Sequence, residues 1–168
     1  MAGWARDGAV HVVCLQEHNL NPTARDTYFR IAAHYRLHLA IGFSGTPAHR
    51  GGCLILADEA TIPWVETIHE RPSIVRAKYD FNGQVLDIAS VYAPSNEVQR
   101  VDFFTKIKGW ISPCTIVGGD WNCVPDVLLD VKGPNKLNYK NRGAAVLDKA
   151  MAALGLNDYR RDQLEGGG

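Results

Sequence analysis

Apolar residues along this chain fall into short β-branched runs separated by turn residues, with three longer stretches in which they recur at helical spacing. Residues 10–15 (Val-His-Val-Val-Cys-Leu) run into Gln16-Glu17 and lie between Asp7-Gly8 and the segment Asn19 to Pro22, which predicts a buried strand. Tyr28, Ile31, Ala32, Tyr35 and Leu39 then predict a helix over about 24–35, with Thr23 as its cap and a second strand at 37–43. Arg50-Gly51-Gly52 leads into an apolar strand at 53–57, and Pro63 and Pro72 bracket a loosely alternating strand at 64–69. Alternation is cleaner over Ile74–Phe81, where Ile74, Arg76, Lys78 and Asp80 share one face and Val75, Ala77, Tyr79 and Phe81 the other. Asn82-Gly83 supplies a two-residue hairpin turn, so residues 84–93 should pair back antiparallel.

Pro94-Ser95-Asn96 ends that strand and opens a helix marked by Val98, Val101, Phe104, Ile107, Lys108 and Ile111, which Pro113 stops. Residues 115–117 form a short apolar strand running into Gly118-Gly119-Asp120, and residues 122–139 read as a polar loop. A final amphipathic helix covers 142–154 (Ala145, Leu147, Ala150, Met151, Leu154) and stops at Gly155. There is no internal repeat or low-complexity tract, and three glycines, 166–168, form a tail after a single domain over 1–165. Mixed strands with interspersed helices indicate an α+β or α/β sandwich.

Composition adds little to that picture. Of the 168 residues 46% are hydrophobic and 21% charged, as in ordinary globular domains. Lys plus Arg and Asp plus Glu both number 18, which argues against a strongly electrostatic nucleic-acid binder but not against an enzyme with a local phosphate site. The four cysteines (Cys14, Cys53, Cys114, Cys123) contain no CxxC pair and read as buried free thiols in a reducing compartment. No secretory leader is visible near Met1, and no apolar run approaches the ~20 residues that span a bilayer. The chain reads as soluble and intracellular, without a membrane partner.

Three polar clusters share one position, the C-terminal end of an apolar strand: Gln16-Glu17-His18, the segment Tyr92-Ala93-Pro94-Ser95-Asn96, and Gly118-Gly119-Asp120-Trp121-Asn122. Strands ending on one rim would gather Glu17, Tyr92, Asp120 and Asn122 in one cleft. A carboxylate such as Glu17 suits a hard divalent cation, which leaves water and phosphate oxygens in its other positions. An aspartate near the phosphate, Asp120, can orient or deprotonate water. Phenols and amides donate hydrogen bonds to phosphate oxygens without adding negative charge. Phosphodiester hydrolysis is the chemistry these types favour.

At these residues the sequence resembles the endonuclease/exonuclease/phosphatase family, which includes DNase I and the apurinic/apyrimidinic endonucleases. The matching segments are Val13-Cys14-Leu15-Gln16-Glu17, Arg50-Gly51-Gly52, Val91-Tyr92-Ala93-Pro94 and Val117-Gly118-Gly119-Asp120-Trp121-Asn122, in the family's order and over nearly the whole chain. The resemblance implies a DNase I-like four-layer α/β/β/α sandwich. It also implies that Glu17 is the metal ligand for Mg²⁺ (Mn²⁺ as the alternative) and that Tyr92 contacts the scissile phosphate. Asp120 would position or activate the water or assist the leaving group, Asn122 would bind phosphate, and Asn96 would replace the asparagine that usually follows Tyr-x-Pro, where Ser95 stands here. Complete members begin with an asparagine-bearing strand and end with strands carrying a second acid and a histidine. Met1 to Ala9 reads only as the end of the helix after that first strand, and nothing beyond Leu156 matches the last ones. The sandwich is therefore expected to be incomplete, and the chain weakly active or inactive alone. Tyr-Ala-Pro and the Asn-x-x-x-Arg-Val-x-Phe-Phe helix most resemble endonuclease domains of non-LTR retrotransposons. That subtype implies DNA nicking, a nuclear site of action and a reverse transcriptase downstream. A phosphomonoesterase or lipid phosphodiesterase, and a non-catalytic remnant, are the competing readings.

Other residues weigh less. His18 adjoins Glu17 and either touches the cleft or, as the favoured reading, is a solvated turn histidine, and His34 with His38 makes a poor zinc pair because the helix ends between them. Arg50 either meets a phosphate or stands as a surface arginine. Trp64, Trp110 and Trp121 read as packing residues. Lys132, Lys136, Lys140 and Arg142 form a basic loop that is solvated unless a nucleic-acid backbone approaches it.

Overall fold

The computed structural model describes residues 10–45, 51–131 and 141–158. The chain divides into two compact units, Met1–Ala93 with Cys114–Trp121, and Pro94–Pro113 with Asn122–Gly168.

The first unit is a β-sandwich. Its first sheet contains β1 (Val12–Gln16), β2 (Leu37–Gly42) and β3 (Cys53–Asp58) in the antiparallel order β1-β3-β2. Its second contains β4 (Trp64–Arg71), β5 (Ile74–Phe81), β6 (Gln84–Tyr92) and β7 (Thr115–Asp120) in that spatial order, with β6 and β7 parallel. Ala40, Cys53, Ile55 and Ala57 from the first sheet form one buried cluster with Val75, Ala77, Tyr79 and Ile88 from the second. The opposite face of the first sheet buries Leu39, Ile41 and Leu54 against Ala32, Tyr28 and Phe29 of α1 (Arg25–His34). Full burial of such aliphatic side chains stabilises by about 1.5–3 kcal/mol each before entropy is counted.

The expected strands all form, with β1 displaced by a residue or two and β4 extended to Arg71. Register shifts between Trp64 and Glu66 and between Thr67 and His69 account for the loose alternation of β4, since a bulge resets which face a side chain meets. At the β5–β6 turn Asn82 and Gly83 have φ of 54° and 82°, the pair of left-handed residues that a type I′ hairpin needs. Asn21, not Thr23, is the first helical cap. Its side chain accepts from the Thr23 N–H at 3.0 Å and a 3-10 turn, Pro22–Ala24, leads into α1. Proline at 22 forces its predecessor into extended backbone, and that is the conformation of a cap residue.

The second unit contains α2 (Glu97–Lys106), extended by a 3-10 turn (Ile107–Gly109), α3 (Val127–Asp130) and α4 (Ala144–Leu154). In α2 the buried positions are Arg100, Phe103, Phe104 and, just beyond, Ile107, while Val98 is 64% exposed. The expected stripe is corrected here: a buried arginine stands where an apolar residue would be sought. The expected polar loop contains α3, whose first turn is capped by Asp126 accepting from the Leu128 N–H at 2.7 Å. Lys132, Lys136 and Lys140 lie outside the described residues. Met1 to Ala9, Arg50 and the glycine tail also lie outside them. α4 starts at Ala144 and ends at Gly155, whose φ of 65° provides the left-handed stop. Among the described residues no helix is long and apolar enough to cross a membrane.

Candidate active site

The end of β1 approaches the end of β6 through two side chains that leave consecutive positions. Gln16 donates from Nε2 to Ser90 Oγ at 3.0 Å, reaching from one sheet to the other over a fully buried serine. A regular strand would send the next side chain, Glu17, to the opposite face. Glu17 instead has φ of 52°, a conformation uncommon for a non-glycine residue, and its carboxylate turns back to accept a hydrogen bond from Tyr92 Oη. Ser90 and Tyr92 are two apart on β6 and so share a face, which lets adjacent residues of β1 grip one face of β6. Asp120 closes β7 beside them. It pairs with Tyr92 in the parallel register, and the Ala93 N–H donates to the Asp120 carbonyl at 2.8 Å. Glu17 and Asp120 are exposed and Tyr92 is half-buried, so the rim holding two carboxylates and a phenol is open to a ligand.

The turn that carries Glu17 is fixed from below by His18. Its Nδ1 accepts from the Leu20 N–H at 3.0 Å and Nε2 donates to the Gly42 carbonyl at 3.1 Å, so the ring must be neutral with its proton on Nε2. Burial pushes its pKa below the usual histidine value, against a smaller upward effect of the Gly42 carbonyl. His18 is therefore a half-buried structural residue and not a solvated turn histidine. Its partner in packing is Gly52, with φ of 91°, where an added Cβ would lie 2.4 Å from His18 Nε2. Asn19 completes the brace by accepting from the Gly51 N–H at 3.2 Å. The Gly51-Gly52 pair thus matters as packing space for the Glu17 turn.

His38, paired in sequence with His34, faces the sandwich and not its neighbour. Its ring stacks on Trp64 with centroids 5.2 Å apart, and Nδ1 lies 3.1 Å from Tyr79 Oη. Burial lowers its pKa, with Glu70 acting in the other direction, and burial also lowers that of His69, with Arg71 and Arg76 adding to it. Three histidines therefore bind protons less readily in the native state than in the unfolded chain. Their contribution is fully present above the unfolded value near 6.5 and declines as pH falls through that value toward the native ones. Stability should fall measurably from pH 7 to pH 5, with protons taken up on unfolding, as followed by urea titration. A flat stability between those values would contradict this.

Asn96 and Asn122 belong to the second unit. Asn96 caps α2, its Oδ1 accepting from the Val98 and Gln99 N–H groups at 3.0 and 3.1 Å, so any phosphate role must use its Nδ2. Asn122 has φ of 50° and follows Asp120 by two residues. Arg50 is not among the described residues. The thiols divide: burial pushes Cys14 up to about 11 and Cys53 up to about 12, whereas Cys114 is exposed and Cys123 partly so. The expectation of uniformly buried thiols fails for Cys114 because it precedes β7 in a turn after Pro113. Trp110 packs on Phe103 at 5.4 Å, as a packing residue should, but Trp64 is 48% exposed beyond its histidine contact.

Among the described residues no three His, Cys, Asp or Glu side chains converge on one point. The oxygen donors at the rim, the Glu17 and Asp120 carboxylates and the Tyr92 phenol, are of the kind that hard cations such as Mg²⁺ or Mn²⁺ take, with water and phosphate oxygens completing the shell.

No family model matches the sequence, and no curated protein does. Solved structures do. An AP endonuclease from Archaeoglobus fulgidus matches with a TM-score of 0.66 at 16% identity, over 91% of this chain and 64% of its own. The fold is DNase I-like. TDP2 of D. rerio, complexed with a single strand DNA product, matches at 0.50 and 17% identity over 93% of this chain and 56% of that one. ANGEL2, a 2′,3′-cyclic phosphatase, matches at 0.53 and 13% identity over 75% and 43%. This chain thus spans less than two thirds of the length of each of these proteins.

Proposed function

We propose that this DNase I-like chain carries a metal-assisted phosphodiesterase site and that its substrate is DNA, nicked in the manner of retroelement endonucleases. The observation that carries the reading is the hydrogen bond from Tyr92 to Glu17, made at the rim where Asp120 also ends its strand. A carboxylate that holds a divalent cation needs orientation, and a phenol donating to one of its oxygens gives it. Glu17 is the residue that would hold Mg²⁺, and the cation would neutralise charge developing on the phosphate. Tyr92 orients Glu17 and would turn its single O–H to a phosphate oxygen once substrate arrives. Asp120 orients or deprotonates water, or assists the leaving group. Asn122 binds phosphate, and this assignment rests on the Gly-Asp-Trp-Asn motif. The retroelement subtype rests on the Tyr-Ala-Pro segment and the helix after it. DNA as substrate draws support from the TDP2 and AP endonuclease likenesses, which share the fold.

The test is a single-turnover assay with protein in excess over supercoiled plasmid, in Mg²⁺, over hours, beside an inositol phosphate. Slow nicking that disappears in Glu17→Gln is the expected result. Phosphate release from the inositol phosphate without nicking would select the phosphomonoesterase reading. Neither activity, in protein shown to be folded, would select the non-catalytic reading of the chain alone.

A further inference from the structure

The candidate phosphate-binding amides, Asn96 and Asn122, both lie in the second unit, each at the edge of a loop, and a buried cation ties those loops down. Arg100, on α2, is 2% exposed, and the Glu97 carboxylate approaches its guanidinium at 3.9 Å. Its guanidinium also donates to backbone carbonyls. Nη1 donates to the Ser95 carbonyl at 3.1 Å and, more weakly, to that of Pro94 at 3.5 Å. Nε and Nη2 both donate to the Arg142 carbonyl, at 3.1 and 2.9 Å. A buried guanidinium held by loop carbonyls is expensive to desolvate, and apolar side chains fill such a position at lower cost. Its five fixed donors are suited to holding two loops at a set separation.

The second loop is held just as closely on its other side. Asn141 donates from Nδ2 to the Val124 carbonyl at 2.8 Å and accepts the Val124 N–H at 3.0 Å, a reciprocal pair like one rung of a sheet. Val124 is two residues after Asn122. Glu97, the first residue of α2 after its Asn96 cap, accepts from the Arg142 N–H at 3.2 Å. The segment Asn141-Arg142 therefore touches the start of α2 and the loop after Asn122, and Arg100 links it to the loop before Asn96. Gly143 makes this path possible: its φ is 110°, and an added Cβ would lie 3.3 Å from Phe104 and 3.6 Å from Arg100 Nε.

We propose that Arg100 is a positioning residue, seated beside Gly143 and linked through the Asn141-Arg142 segment to Val124, which fixes the separation of Asn96 and Asn122 so that both amides can meet one phosphodiester. This rests on the functional reading above. Arg100 touches no substrate. It acts by holding the Ser95 and Arg142 carbonyls, and a lysine there keeps the charge but has no fork to reach both loops.

The test uses the whole chain, with Arg100→Lys and, from the opposite side, Gly143→Ala. Affinity for a short single-stranded DNA is measured by fluorescence anisotropy in Ca²⁺, and Mn²⁺ affinity by paramagnetic relaxation, well below each melting temperature. Both variants should bind DNA about tenfold or more weakly, as misplaced contacts do, while Mn²⁺ affinity stays at the wild-type level. Amide exchange at Val98 and Val124 should rise in the same variants. If both variants bind DNA like wild type, the positioning role is wrong. Equal loss of Mn²⁺ and DNA binding would make Arg100 a general stability residue and overturn it too. Wild type that binds Mn²⁺ but no DNA would instead remove the nucleic-acid reading, and this proposal with it.

Discussion

Glu17→Gln should abolish metal-dependent nicking while leaving the fold intact. Glutamine keeps an oxygen at the place where Tyr92 donates, so the rim hydrogen bond can persist and the substitution removes charge alone. Glu17 is exposed, and an isosteric change at such a position shifts stability by about 0.5 kcal/mol or less. The cation that Glu17 would hold contributes several kcal/mol to charge stabilisation in reactions of this class, so a loss of about 10³-fold in rate is expected. Tyr92→Phe should cost less, because it removes a donor and leaves the carboxylate. Equal activity of Glu17→Gln and wild type would place the metal, or the chemistry, elsewhere.

The largest stability effect should come from Asp87→Ala. Asp87 accepts from Arg76 Nε at 2.8 Å and from Arg76 Nη2, and Thr115 Oγ1 donates to it at 3.2 Å. Both charged side chains are mostly buried, 13% and 9% exposed, and the Asp87 carboxylate raises the already high pKa of Arg76. Removing the carboxylate takes its bidentate partner from a mostly buried guanidinium, at a cost of about 3–5 kcal/mol, against a total stability of about 5–15 kcal/mol for a domain. Replacing both partners with apolar residues (Arg76→Met with Asp87→Leu) should recover most of the loss, since it is the unpaired charge that is costly. Urea titration of the three proteins decides the matter, and a loss below about 1 kcal/mol in Asp87→Ala would show that the pair is solvated in solution. The cluster also matters for the site. Asp87 and Thr115 are register partners at the start of the β6–β7 pairing, five residues before Tyr92 meets Asp120. A slip of one residue there would turn Asp120 to the other face.

Much of the first unit can be read from sequence because its strands are short β-branched runs between turn residues, and a period of two survives wherever one face is buried. Tyr92 and Asp120 are legible as neighbours for that reason: both end apolar strands and both precede a break. The contact between Glu17 and Tyr92 is not legible. It depends on a left-handed residue at the end of β1 and on two sheets meeting across 75 positions of chain. The environment of His18 is hidden for a related reason, since Gly42 and Gly52, which decide it, are distant in sequence. Arg100 is hidden because a charged residue in a helix reads as solvent-facing, whereas its bonds to the carbonyls of Ser95 and Arg142 turn it inward. The cap at Asn21 was displaced from Thr23 by a proline whose effect on its predecessor outweighs the cap preference of threonine. In each case local pattern was overruled by a partner that folding supplies.

Glu17 is proposed to hold a divalent cation at the rim it shares with Tyr92 and Asp120, and anomalous diffraction from crystals soaked in Mn²⁺ would locate that ion. A peak about 2.0–2.2 Å from a Glu17 carboxylate oxygen, absent in Glu17→Gln, is the result expected of a hard octahedral cation. A peak bound elsewhere, or none at saturating Mn²⁺, would contradict the account and leave the Tyr92–Glu17 pair as a structural hydrogen bond.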